Sequence, residues 1–110
     1  MSDNPQSDRR RTPRVSVVAR VYGHIVSLNL PTTLLNLSPG GFLMQSPVEF
    51  PVGAVEEFRF TANGIDLVLR ARVVHAMTAS RVDGPVYLTG LAFVDPNADQ
   101  QDAIARLVSA

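Results

Sequence analysis

Four arginines, Arg9, Arg10, Arg11 and Arg14, stand within six positions of a chain that holds ten arginines and no lysine. A guanidinium is planar, permanently charged and forked, so it grips a phosphate or a guanine edge through paired hydrogen bonds. Lysine would serve diffuse attraction equally well, and an all-arginine run therefore suits a planar, oxygen-rich anion. Taken by itself the run is equally a solvated basic tail. A second group of residues follows at Asn36-Leu37-Ser38-Pro39-Gly40-Gly41. Strand alternation points Asn36 and Ser38 to one face with Leu37 opposite. The glycines clear space beside them and let backbone approach a ligand. An amide, a hydroxyl and open backbone are thus gathered at one corner, although the same residues are ordinary in turns.

The elements that must position these groups read as strands. Apolar residues make up 45% of the chain and charged residues 18%, which is a globular composition. A length of 110 residues fits one domain with a real core. The formal net charge is +0, which speaks against a general nucleic-acid binder, but the charge is unevenly placed. Residues 1–20 carry five arginines against Asp3 and Asp8, so the positive field is local. The first eight residues are polar and read as a flexible arm, with a single domain over residues 9–110. Pro13 disfavours helix at Thr12, so the basic stretch is expected to be extended.

Val15, Val17, Ala19 and Val21 alternate with Ser16, Val18, Arg20 and Tyr22, which predicts a first strand that Gly23-His24 interrupts. The stretch from Ile25 to Leu37 predicts strand divided at Pro31. Ser38-Pro39-Gly40-Gly41 predicts a type II turn, with Gly40 at positive φ. Phe42-Leu43-Met44 and residues 55–60 read as further strands, and Asn63-Gly64 is a hairpin signal. Ile65, Leu67, Leu69, Ala71 and Val73 fall on one face, with Asp66, Val68, Arg70, Arg72 and Val74 on the other. Asp83-Gly84-Pro85 turns the chain into residues 86–94, where Leu91 and Phe93 face the core. Asp95-Pro96 predicts the start of a closing helix capped by Asp95, with Ile104, Leu107 and Val108 as its apolar stripe. Short strands, frequent turns and one terminal helix make an all-β fold, a small antiparallel barrel.

Arg10-x-x-x-Arg14, followed twenty-two residues after Arg14 by Asn36-x-Ser38-x-x-Gly41, resembles the PilZ domain family of cyclic di-GMP receptors. That family's pattern is RxxxR followed by D/N-x-S-x-x-G. Starting the first motif at Arg9 or Arg11 would put Pro13 or Val15 in its last place, so the register is fixed. Arg72-Val73-Val74-His75 resembles the family's middle strand, and Gly90-Leu91-Ala92-Phe93 its late strand. The resemblance spans roughly residues 9–108. It implies a six-stranded antiparallel β-barrel with a C-terminal helix, a nucleotide-binding role in bacterial second-messenger signalling, and no catalysis. Carried over, Arg10 and Arg14 contact guanine and phosphate, Asn36 hydrogen-bonds a guanine, Ser38 contacts ligand through its hydroxyl, and Gly41 keeps the turn open. Arg9, Arg11 and Gly40 are auxiliary contacts. Asn36 stands where many members carry aspartate, which accepts from both guanine N1–H and N2–H₂, whereas an amide offers one acceptor oxygen.

Other residues carry weaker chemistry. Cysteine is absent, so there is no disulfide, thiol nucleophile or cysteine metal site. His24 and His75 lie far apart with no acid at metal-like spacing and are read as without a ligand or catalytic role. Glu56-Glu57 reads as a solvated edge, Met44 and Met77 as packing, and Ser38 lacks a base and an elbow motif, so an enzyme is not expected. No apolar run reaches the roughly 18 residues of a membrane helix, and no signal-peptide core is seen, so a cytoplasmic protein without membrane contact is expected. The expected ligand is cyclic di-GMP, with no cofactor and no metal. Output through an unidentified protein partner or through a homodimer follows from the lack of an output domain. The alternative is a degenerate adaptor of the same family that binds protein and no nucleotide; a general nucleic-acid-binding barrel is disfavoured by neutral charge and few aromatics.

Overall fold

The computed structural model describes Val18 and residues 20–109. Six strands, β1 (Tyr22–Ile25), β2 (Leu30–Ser38), β3 (Gly41–Ser46), β4 (Val55–Ala62), β5 (Ile65–Arg81) and β6 (Gly84–Phe93), precede one helix, α1 (Ala98–Val108). All strand pairs are antiparallel, and the order β1-β2-β3-β6-β5-β4 closes into a barrel. The all-β barrel with a terminal helix is therefore as expected. Inward residues of β5 (Leu69, Ala71 and Val73) are buried while Asp66, Val68, Arg70, Arg72 and Val74 are exposed, the alternation expected of it. Phe42 packs edge-on against Phe58 and Phe60, with ring centroids 5.0 and 5.1 Å apart. Phe58 and Phe60 are fully buried, and each such side chain contributes about 1.5–3 kcal/mol of transfer free energy.

Several local expectations are corrected. The first strand is Tyr22–Ile25, with Gly23 and His24 inside it; Gly23 lies under the Thr32 and Leu34 side chains, which would have to give way to a Cβ, so the glycine serves packing across strands and does not break the strand. Residues 26–29 form the turn, and Asn29 takes a left-handed φ of 53°. Pro31 sits near the start of β2, paired with β1 alone, where β3 does not need its missing N–H. Gly40 has no positive φ, so the Pro39-Gly40 turn is not type II; proline at its first central position suits type I equally.

Asn97, not Asp95, caps α1: Gln100 N–H donates to Asn97 Oδ1 at 2.8 Å, and Asn97 N–H donates to Gln100 Oε1 at 2.9 Å. Asp95 instead makes the left-handed corner before the helix, at φ 42°. Ala103, Ile104 and Leu107 are the buried stripe, whereas Val108 is exposed. Met44 is buried as expected, but Met77 is exposed on the long β5–β6 hairpin. Among the described residues no helix is long and apolar enough to cross a membrane.

Candidate functional site

Two bulges shape one outer corner of the barrel. In β2 the pairing runs Leu34 with Met44 and then Asn36 with Leu43, so Leu35 is an extra residue. Leu34 is buried, and Leu37 packs against the core although three positions separate them. Strict alternation puts such a pair on opposite faces; the bulge restores both to the inside and leaves Asn36 and Ser38 exposed outside. In β5 the pairing runs Val73 with Leu91 and then His75 with Gly90, making Val74 the extra residue. Val73 faces the core, and without the bulge His75 would follow it inward. With the bulge the imidazole lies over Gly90 on the outer face. A Cβ built on Gly90 would stand 2.7 Å from His75 Nε2.

These two devices line a single concavity of about 420 Å³ with Asn36, Ser38, Gly40, Leu43, His75 and Gly90. Ser38 Oγ donates to Gly41 O at 3.2 Å, which holds the turn and leaves the hydroxyl's lone pairs outward. The turn is also stitched to β6, where Phe93 N–H donates to Gly40 O at 2.9 Å. Gly41 is held tightest: an added Cβ would run into the backbone carbonyl oxygen of Leu91, so β3 meets β6 here only as glycine. Among the described residues no carboxylate lines this concavity, so an anionic ligand meets no like charge from them. The contrast is a polar hollow between β4, β5 and α1, which places Glu57 and Asp95 beside Arg70. A larger concavity, about 1040 Å³, lies toward the tip of the β5–β6 hairpin and is mostly apolar, with Arg81 and Asp83 4.0 Å apart at its rim.

The structure thus brings together Asn36, Ser38, Gly40 and Gly41. Arg9, Arg10, Arg11 and Arg14 lie outside the described residues. The chain enters beside the corner, because Val18 N–H donates to Leu34 O at 2.9 Å, two residues before Asn36. His75, read from the sequence as without a ligand role, and Gly90, read only as part of a strand, also line the corner. The signal available was the pairing of a ring-bearing residue with a glycine, which needs the β5–β6 register before it can be read. His24 serves the fold locally, with its Nε2 lying 3.0 Å from Asn29 Oδ1 across the β1–β2 turn. Glu56 accepts from Ser27 Oγ at 2.8 Å, and Glu57 is exposed. Among the described residues no three His, Cys, Asp or Glu side chains gather as a metal site.

The sequence profile described as the PilZ domain matches residues 8–110, and the chain belongs to that family. Comparison with curated proteins returned no match. Among solved structures, the fold is similar to the Borreliella burgdorferi PlzA protein, whose crystal structure was determined in complex with c-di-GMP. That similarity has a TM-score of 0.60 at 11% sequence identity, over 91% of this chain and 46% of the PlzA chain. It is a likeness of fold, and this chain spans about half of that protein's length.

Proposed function

We propose that this PilZ-domain chain is a receptor for cyclic di-GMP, bound on the outer corner between β2, β3, β5 and β6. The observation that carries the reading is the position of Val18, the described residue nearest the arginines in sequence, beside that corner. Val18 is bonded to β2 two residues from Asn36, and Arg14 is four residues upstream, a contour of at most about 14 Å. Arg10 and Arg14 supply forks for guanine and phosphate, with Arg9 and Arg11 as auxiliary cations. Asn36 hydrogen-bonds the guanine edge, Ser38 offers its hydroxyl, and Gly40 and Gly41 leave backbone open. His75 adds a planar face on which a base stacks, held over Gly90. The ligand-bound PlzA structure supports the ligand class.

The reading requires binding and no bond-breaking, so no catalytic residue is assigned. It places the chain in the bacterial cytoplasm. Ordering of the arginine arm against the barrel creates a new surface, and output passes through a protein partner or self-association. Calorimetric titration with cyclic di-GMP tests it directly. The wild type is expected to bind at micromolar or tighter affinity, and the Arg10→Ala, Arg14→Ala double variant to lose at least about a hundredfold, since each charge-assisted bond contributes about 1.5–3 kcal/mol. No binding by the wild type would instead favour the adaptor reading, and equal binding of random oligonucleotides a general nucleic-acid barrel.

A further inference from the structure

β5 is longer than the strands that flank it. β4 pairs it only from Ile65 to Arg72. Loop residues carry the pairing one step further, since Gly53 N–H donates to Val73 O and Val73 N–H to Ala54 O, both at 2.8 Å. On its other side β6 pairs with β5 as far as Arg81. From Val74 onward, among the described residues, no strand pairs the edge that faces away from β6.

The parity of that edge can be read from the turn. A two-residue loop joins Arg81 to Gly84, so the pairs Arg81–Gly84, Ala79–Val86, Met77–Leu88 and His75–Gly90 exchange hydrogen bonds with each other. Pro85 faces Ser80, in a position where no N–H is owed to β5, which fits the same parity. Ala76, Thr78 and Ser80 therefore direct their backbone N–H and C=O groups away from the sheet. Edges of this kind are ordinarily blunted by lysine, proline or an inward charge. Residues 74–80 contain none of these, and Val74 through Thr78 are exposed, with Val74 at 51% and Met77 at 55%.

We propose that this edge is a self-association surface on which two copies pair their β5 strands antiparallel across a two-fold axis at Thr78. Only residues with outward backbone groups can form the hydrogen-bonded pairs, and centring on Thr78 employs all three. Thr78 then faces the partner's Thr78, Ala76 faces the partner's Ser80, and Met77 faces the partner's Ala79. Charge favours a second copy as the occupant. The paired centre carries no charged residue, so no like charges are opposed there, and the formal net charge of +0 gives two copies no mutual repulsion. Arg81 falls opposite the partner's His75 only at the end of the segment, with Asp83 beside it. The pairing needs no nucleotide and stands apart from the ligand reading, although it prolongs the sheet face that carries His75.

Sedimentation velocity of the full chain without nucleotide, from low micromolar to millimolar concentration, tests the proposal. The wild type is expected to pass from monomer to dimer. Thr78→Lys and Thr78→Glu each oppose like charges on the two-fold and are expected to remain monomeric, while an equimolar mixture of the two dimerises again. Thr78→Ser, which keeps a small neutral hydroxyl, dimerises as the wild type does, so the wild type and this control still decide the matter if a charged variant loses its fold. A wild type that is monomeric throughout overturns the proposal, as does a dimer retained by either charged variant alone. Two folded monomeric variants that fail to combine overturn the placement of the axis at Thr78.

Discussion

The Ser38–Gly41 hairpin and the Ala62–Ile65 hairpin each reverse the chain in two residues and each employ glycine, for different reasons. Gly64 has a φ of 77° and nothing within 4 Å of where a Cβ would stand, so it is needed for backbone conformation alone. Gly41 has no such φ, yet a Cβ there would meet the β6 backbone. The polar groups divide in the same way. Near Asn63-Gly64, Arg59 and Asp66 satisfy each other through two bonds of 2.8 and 2.7 Å. At the other corner Asn36 is exposed and, among the described residues, donates and accepts no side-chain hydrogen bond. One turn is closed on itself; the other leaves the Asn36 amide turned outward, and that difference is what the proposed binding corner rests on.

The sharpest way to break this contrast is to add one methyl group at each glycine. Gly41→Ala forces β3 and β6 apart, because its neighbours are backbone atoms that cannot swing aside, and is expected to cost about 3 kcal/mol. Gly64→Ala meets no atoms and carries only the left-handed penalty of about 1 kcal/mol. Gly40→Ala has neither problem and should stay within about 0.5 kcal/mol of the wild type. Urea denaturation measures all three, and equal costs at Gly41 and Gly40 would remove the close-approach argument. Gly90→Ala sharpens it further, since its added atom meets the movable end of His75. The fold should lose less than about 1 kcal/mol. Cyclic di-GMP affinity should nonetheless drop about tenfold, matching His75→Ala, in keeping with a stacked base.

Asn36→Asp has a smaller effect. A carboxylate accepts from both guanine donors, so calorimetry should show binding tightened or unchanged; clear weakening would mean that residue 36 does not face the guanine edge. The smallest effect belongs to the closed turn. The hydrogen bond from Arg59 holds the Asp66 carboxyl below the usual carboxylate range. A folded pKa below the unfolded value of about 3.9 means the pair stabilises at pH above that value and fades as pH falls through the lower, folded one. Because both side chains are more than half exposed, Asp66→Asn should barely alter stability at neutral pH. Thermal melts should show the variant losing only that added acid sensitivity.

Much of the barrel was legible because alternation is a local signal: Ile65 to Val73 in β5, the Asn63-Gly64 turn and the Asn36–Gly41 corner all stand in the sequence. The residues that escaped were those whose role depends on a neighbouring strand. Gly23 reads as a breaker until Thr32 and Leu34 are seen above it. Both bulges are invisible to a period of two, so nothing local in the sequence shows that His75 lies outside against Gly90. Asp95 before Pro96 reads as the cap, whereas the structure places the cap at Asn97, where Gln100 three residues on completes a capping box. Gly40 shows the opposite failure, since Pro-Gly permits two turn types and the stitching of Gly40 O to β6 accompanies the one without positive φ.

The central claim is tested most directly by following backbone amide resonances during titration with cyclic di-GMP. The account predicts that Ser38, Gly40, Gly41, His75 and Gly90 shift together, along with the segment from Arg9 to Arg14, while Arg59 and Asp66 stay still. Shifts confined to the Arg81–Gly84 tip, with the corner unmoved at saturation, would contradict it.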